Sequence, residues 1–327
     1  MTTAPASGLE RAATNGEYQH HRKPKMYNFV QRYRYAFREY LAEFIGTLIL
    51  VVFGDGVVAQ LKVSSGSAAN YTTVAMCWAS AVFLGYQASA GISGAHLNPA
   101  VTCSAAVFRR FPMRKVPGYI FSQIFGGFIG AMIVYATYKE SIANFDGGVR
   151  QAVGEHGTGG IFCTFPQDFL TTGGQISSEV VATALLQFGI FSMTDPYNAA
   201  LGPSFPYGLW ILIFAIGSAY GYQTGYALNA ARDFGPRLAA AALGYPKEMF
   251  TYGHHYFWVP LIMPIFGGLL GAFVYDLLVY QGEDSPLNQP DFGLTERLDK
   301  MKNFQLSDLK PDFDIERYEA ERAAESV

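Results

Sequence analysis

The sequence predicts an all-α membrane protein: six transmembrane helices plus two re-entrant half-helices, arranged as an inverted repeat. Three observations predict it. The chain of 327 residues is 50% hydrophobic and only 15% charged, against about 25% charged in ordinary soluble domains. Six windows approach the roughly 20 apolar residues that a bilayer-crossing helix needs. Two further segments start as helices but end at about half that length.

The six windows are Tyr40 to Gln60, Tyr71 to Ala90, Val116 to Tyr138, Ser177 to Thr194, Tyr207 to Tyr226 and Phe257 to Val279. Tyr and Trp gather at several of their edges, where amphipathic rings sit at the membrane interface. Together the windows define a membrane core at 40–280, with one repeat at about 40–138 and the other at about 177–280. The flanking tails, 1–39 and 281–327, are polar and expected to be largely disordered, apart from a short charged helix at Asp314 to Glu325. Met1 to Tyr18 contain no apolar run, so no cleavable signal peptide is expected. Basic residues crowd before the first window (Arg22, Lys23, Lys25, Arg32, Arg34, Arg38) and the third (Arg109, Arg110, Arg114, Lys115). The positive-inside rule then puts both termini in the cytoplasm, and the plasma membrane is the expected location.

Other classes fall away. A net charge of −3 without a basic, aromatic-interleaved stripe gives no sign of nucleic-acid binding. Cys77, Cys103 and Cys163 have neither metal-ligand spacing nor the pattern of a disulfide framework, and no metal or cofactor is expected. The windows hold no nucleophile–base pairing that would suggest an enzyme. Ser141 to Gly174 reads as a long, Gly-rich outer loop, a length that often signals function or mobility.

The half-length segments carry the argument towards function. From Val63 to Phe108 there is no Asp, Glu, Lys or Arg, too long a stretch for one span and too short for two. Inside it Asn98-Pro99 reads as a helix start, an Asn cap followed by proline at the first helical position. Only Ala100 to Phe108 remain before Arg109. After the fifth window Asn229-Ala230-Ala231 repeats the cap, and an Ala-rich helix runs to about Ala242. One Asn-Pro is an ordinary cap. Two caps, each opening a half-length helix at membrane depth, require backbone that is buried or lines a water-filled cavity.

An internal repeat pairs the two segments. Glu43 and Thr47 match Glu179 and Thr183, Asn98 matches Asn229, and Ile124-Phe125-Gly126-Gly127 matches Ile265-Phe266-Gly267-Gly268. Each repeat therefore holds three spans and one half-helix. An odd number of spans inverts the second repeat, so the half-helices meet tip to tip. The glycines Gly126, Gly127, Gly130, Gly267, Gly268 and Gly271 are expected to permit close helix packing.

These motifs resemble the aquaporin superfamily over about Tyr40 to Tyr280. Ser93-Gly94-Ala95-His96-Leu97-Asn98-Pro99-Ala100-Val101-Thr102 is similar to its signature, and Arg232-Asp233-Phe234-Gly235-Pro236-Arg237 looks like the glycerol-facilitator branch. Ala230 departs from the family proline. The resemblance implies a passive channel for glycerol and other small neutral solutes, with water, and a homotetramer in the lipid bilayer. Asn98 and Asn229 would meet at the pore centre. Backbone carbonyls of Gly94, Ala95, His96 and Leu97, and of Tyr226, Ala227 and Leu228, would line the path. The ungapped match puts Trp78, Gly217, Tyr226 and Arg232 at an outer selectivity filter. Gly217 matters there by leaving room, and the Tyr226 hydroxyl would either narrow the filter or meet a polyol.

Three acidic residues need separate readings. Glu43 and Glu179, costly in apolar helices, read as acceptors bracing the half-helix loops, with proton coupling as the alternative. Asp233 would orient Arg232 or adjust the outer half-helix. Asp55 reads as an interfacial or loop contact. His96 reads as loop support. Two rival functions remain: a mainly water-selective pore, and an ion-coupled secondary transporter, which also uses inverted repeats and broken helices.

Overall fold

The computed structural model describes residues 28–303, and the helix expected at Asp314 to Glu325 lies outside them. Among the described residues the helices are α1 (Phe29–Ala36), α2 (Arg38–Val63), α3 (Tyr71–Ser93), α4 (Pro99–Phe108), α5 (Val116–Asp146), α6 (Thr172–Thr194), α7 (Phe205–Thr224), α8 (Ala230–Ala242), α9 (Glu248–His255), α10 (Trp258–Leu278) and α11 (Leu294–Lys302). Five of them are long and apolar enough to cross a membrane: α2, α5, α6, α7 and α10. The 23-residue α3 matches them in length but falls short of their apolarity. It is held by a reciprocal cap between Asn70 and Thr73.

Local chemistry sets the ends. Helix α5 runs eight residues past the expected boundary because Gly147, at φ 67°, is the first residue to turn left-handed. Two stretches assigned to tails hold helices. Asn28 caps α1 by accepting from the Gln31 amide at 3.0 Å, and Asp291 accepts from the Thr295 amide at 2.9 Å where α11 begins.

Packing interleaves the repeats. Within the first, α2 packs on α3 and α5; within the second, α6 packs on α7 and α10. The half-helices are exchanged: α8 packs on α5, whereas α4 packs on α10. Matched glycines make these crossings. A β-carbon on Gly127 would come within 2.6 Å of the Ala231 carbonyl, and one on Gly268 within 3.2 Å of the Ala100 carbonyl. Gly130 likewise abuts the Leu48 carbonyl and Gly271 the Ala184 carbonyl. Backbones approach here at distances that only glycine allows.

The segment between α5 and α6 exposes Val149 and Phe169 but folds its middle inward. Ile161, Phe162 and Cys163 are buried in the core, with Thr158 and Thr164 beside them. Outward helix faces instead expose Ile45, Phe121, Ile211 and Leu277, an apolar girdle that suits lipid and not water.

Candidate functional site: a passage between the half-helices

Each half-helix is preceded by a loop with the same backbone signature. Gly94, Ala95 and Leu97 have φ of 83°, 50° and 51°; Gly225, Tyr226 and Leu228 have 81°, 41° and 57°. Left-handed geometry costs a non-glycine residue about 1–2 kcal/mol, so something must hold it. Two fully buried carboxylates do. Glu43 accepts from Ser93 Oγ (2.7 Å), the His96 amide (2.9 Å), the Leu97 amide (2.7 Å) and Gln123 Nε2 (2.8 Å). Glu179 accepts from Thr224 Oγ1 (2.6 Å), the Ala227 amide (3.1 Å), the Leu228 amide (3.0 Å) and the Tyr256 hydroxyl (3.3 Å). Four donors apiece compensate the desolvation of both groups.

The loops meet at the asparagines. Asn98 Oδ1 caps α4 through the Ala100 amide at 2.9 Å, while its Nδ2 donates to the Leu228 carbonyl at 2.9 Å. Asn229 Oδ1 caps α8 through the amides of Ala231 (2.9 Å) and Arg232 (3.3 Å), and its Nδ2 donates to the Leu97 carbonyl at 2.7 Å. The two tips are thus stapled to each other. Each amide nitrogen keeps a second hydrogen for a passing acceptor.

Around this junction lies a cavity of about 260 Å³. Gly94 to Asn98 and Tyr226 to Asn229 line it, Trp78 and Arg232 stand at one part, and Leu50, Val82, Leu209 and Ile213 contribute apolar wall. The Arg232 guanidinium carbon sits 4.1 Å above the Trp78 ring centre, a cation–π contact that fixes its plane. Gly217 stands behind this wall: a β-carbon there would come within 2.8 Å of Tyr226 Cζ. The ring fills the space that glycine leaves. The Tyr226 hydroxyl is buried without a hydrogen-bond partner, tucked against Gly217 instead of standing in the passage.

Of the remaining positions, Asp55 departs from the sequence reading, Asp233 follows the second of its two readings, and His96 packs beside its loop. Asp233 bonds Arg237 and not its neighbour Arg232: one oxygen accepts from Arg237 Nε (2.9 Å) and a terminal nitrogen (2.8 Å), the other from the Thr164 amide and hydroxyl (2.7 Å each). Arg237 also donates to the carbonyls of Thr164 and Met249. Helix α8 is thereby riveted to the α5–α6 segment. The physical reason is the helix repeat, which brings residues four apart onto one face. Asp55, expected at an interface or loop, is fully buried, and both its oxygens lack a partner. His96 packs against Phe111 and Tyr119, with Nδ1 3.2 Å from Thr102 Oγ1.

Sequence reasoning missed several contributors. Gln123, Thr224 and Tyr256 complete the carboxylate shells. Gln187 lines the cavity, is buried, and has neither amide atom bonded. At the other end of the passage Arg109 forms a two-pronged pair with Asp276 (2.8 and 2.7 Å), between the rings of Phe191 and Tyr280. Arg109 had been read only for its charge.

Comparisons with known proteins agree with this architecture. The family profile described as Major intrinsic protein matches residues 31–275. "Probable aquaglyceroporin-2" of Gibberella zeae is 44% identical over 272 residues, covering 83% of this chain and 80% of that protein. The "Glycerol uptake/efflux facilitator protein" of Saccharomyces cerevisiae is 39% identical over 292 residues, 77% of this chain and 43% of that longer protein. Among solved structures, the aquaglyceroporin from Plasmodium falciparum superposes with a TM-score of 0.67 at 31% identity, covering 75% of this chain and 97% of that one. The girdle, the spanning helices and the paired half-helices therefore belong to an integral membrane protein, and the chain is a member of the major intrinsic protein family.

Proposed function

We propose that the chain is a passive channel for glycerol and other small neutral solutes, together with water. The observation that carries this reading is the mixed lining of the passage, in which residues 94–98 and 226–229 of the two half-helix loops meet the aliphatic Leu50, Val82, Leu209 and Ile213; the loop carbonyls would serve as the acceptors. A polyol presents hydroxyls along one edge and carbon along the other, so it exchanges water for carbonyls without leaving its carbons against polar groups. The names of the relatives support the same solute. Asn98 and Asn229 would offer hydrogens at the narrow centre. Trp78, Tyr226 and Arg232 would select at one end, with Gly217 leaving room for the Tyr226 ring.

Cations and protons are expected to be excluded. In the general account of aquaporin-type pores, half-helix dipoles and an arginine raise the barrier. Here the N-termini of α4 and α8, each worth about half a positive charge, converge beside the cavity and Arg232 adds a full one. Proton coupling finds little support, because Glu43 and Glu179 are each saturated by four donors.

The assembly is proposed to be a homotetramer in the plasma membrane with both termini cytoplasmic. One end of the molecule gathers Lys115 against Glu39 at 2.8 Å and Arg109 against Asp276 at 2.7 Å. That end also carries Arg110 and Arg114, and by the positive-inside rule it would be the inner one.

Purified full-length protein in sealed liposomes tests the reading by light scattering. Re-swelling in an inward glycerol gradient, unchanged by proton or sodium gradients, is expected. Flux that tracks an imposed ion gradient would favour a transporter. Water flux without glycerol re-swelling would favour a water-selective pore.

A further inference from the structure

Four ionisable side chains are buried around α8: Asp55 at 0% exposure, Asp233 and Arg237 at 1%, and Arg232 at 8%. Their formal charges sum to zero, yet the hydrogen bonds join only one pair. Asp233 spends both oxygens on Arg237 and Thr164, and Arg237 spends its remaining donors on carbonyls. That pair is closed. Arg232 is left with its NH1 nitrogen buried and unbonded, and Asp55 with both oxygens in the same condition.

The α2 turn that carries Asp55 and the Arg232 guanidinium both border the Trp78 ring. The α2 turn that carries Asp55 backs the filter: a β-carbon on Gly54 would meet Trp78 Cε3 at 2.5 Å, and Phe53 accepts from Cys77 Sγ at 3.5 Å. The Trp78 ring carries the Arg232 guanidinium at 4.1 Å. Helix α2 also packs directly on α8. A lone buried charge is very costly, whereas opposite charges interact strongly through a low-dielectric interior without touching.

We propose that Asp55 is a positioning residue for Arg232, a counter-charge on the α2 turn backing Trp78 that holds the guanidinium in its filter position. Asp55 does not touch solute. It acts by keeping Arg232 drawn towards α2, so that the free donors of the guanidinium flank the passage instead of crossing it. This rests on Arg232 being the filter cation. The sequence gives a reason for such a device: the first repeat has Val101 at the position matching Arg232, and the second has Phe191 at the position matching Asp55. Both charges occur once, in the same half of the passage.

The test is a double-mutant cycle on the full-length protein, read by glycerol and water permeability in liposomes and by thermal unfolding in detergent. Asp55→Asn should lower glycerol permeability several-fold and water permeability less, while Asp55→Glu keeps most of the flux. In an Arg232→Leu background, Asp55→Asn should change neither permeability. If Asp55→Asn alone fails to fold, adding Arg232→Leu should restore folded protein, because the pair is then removed together. The proposal is overturned if Asp55→Asn is silent in the native background. Equal effects in both backgrounds, or no gain in stability for the double variant, would also overturn it. Wild-type glycerol flux in the same vesicles is a separate readout. Its absence would sink the proposed solute and leave the unfolding cycle to decide the role of Asp55.

Discussion

Half-helices α4 and α8 leave their loops by the same backbone path and are held by the same kind of buried carboxylate, yet they are finished by different means. Helix α4 opens with Pro99, whose fixed φ preorganises the first turn, and its Asn98 cap engages one amide. Helix α8 opens with Ala230, and its Asn229 cap engages two. The body of α4 is uncharged to its end. Helix α8 carries Arg232, Asp233 and Arg237, where the repeat places Val101, Thr102 and Ala106 in α4. The comparison teaches that the junction at the asparagines is shared architecture, whereas the charge proposed for selectivity, Arg232, is built into one half only. That half needs an extra anchor, supplied by Thr164 and Met249.

The largest expected effect tests the shared part. Glu43→Ala and Glu179→Ala each strand at least two buried amides, at about 1–3 kcal/mol apiece. Both variants should lose monodisperse protein on size-exclusion chromatography. Tolerance of one and loss of the other would break the equivalence of the loops. The next effect belongs to α8 alone. Asp233→Ala leaves Arg237 buried and uncompensated, a change that typically costs about 3–5 kcal/mol, and thermal unfolding should shift down accordingly. Asp233→Ala with Arg237→Ala should recover much of that loss. Thr102→Ala in α4 should cost less than Asp233→Ala, since no charge is stranded.

Gly217→Ala sharpens the comparison at the filter. The added methyl would lie 2.8 Å from Tyr226 Cζ, so the ring must move towards the passage. Glycerol permeability should fall several-fold and water permeability less. Equal losses would place Gly217 outside the filter. Ala230→Pro is the smallest change. Proline at the first helical position removes an amide that the Asn229 cap leaves unused, and reduced chain entropy should stabilise by about 0.4–1 kcal/mol. A marked loss of stability would mean that α8 depends on its own, proline-free cap geometry.

Much of this was legible before any coordinates. Apolar windows gave the spans because lipid leaves the backbone no alternative to helix, and the Asn caps gave the half-helices because capping is local. Contacts across long separations were not legible. Thr164 lies 69 residues from Asp233, and its glycine-rich neighbourhood reads as surface loop unless Ile161, Phe162 and Cys163 are weighed as a buried set. The Asp233–Arg237 pair is readable from its i,i+4 spacing, although the adjacent Arg232 offers Asp233 a competing partner in sequence. Gln187 gave little signal, since one Gln on an apolar helix serves equally well as interhelical glue. That Tyr226 covers Gly217 follows from the left-handed turn at Tyr226, which no residue type announces.

The central claim is that solute crosses the membrane past Asn98 and Asn229 within a single chain. A cryo-electron microscopy map of the full-length protein in lipid, with glycerol present, tests it most directly. Ordered glycerol is predicted along the line from Trp78 and Arg232, past the two asparagines, towards Phe191, with its hydroxyls on the carbonyl side. Solute density confined to an axis between subunits, with the asparagine junction closed to it, would contradict the account.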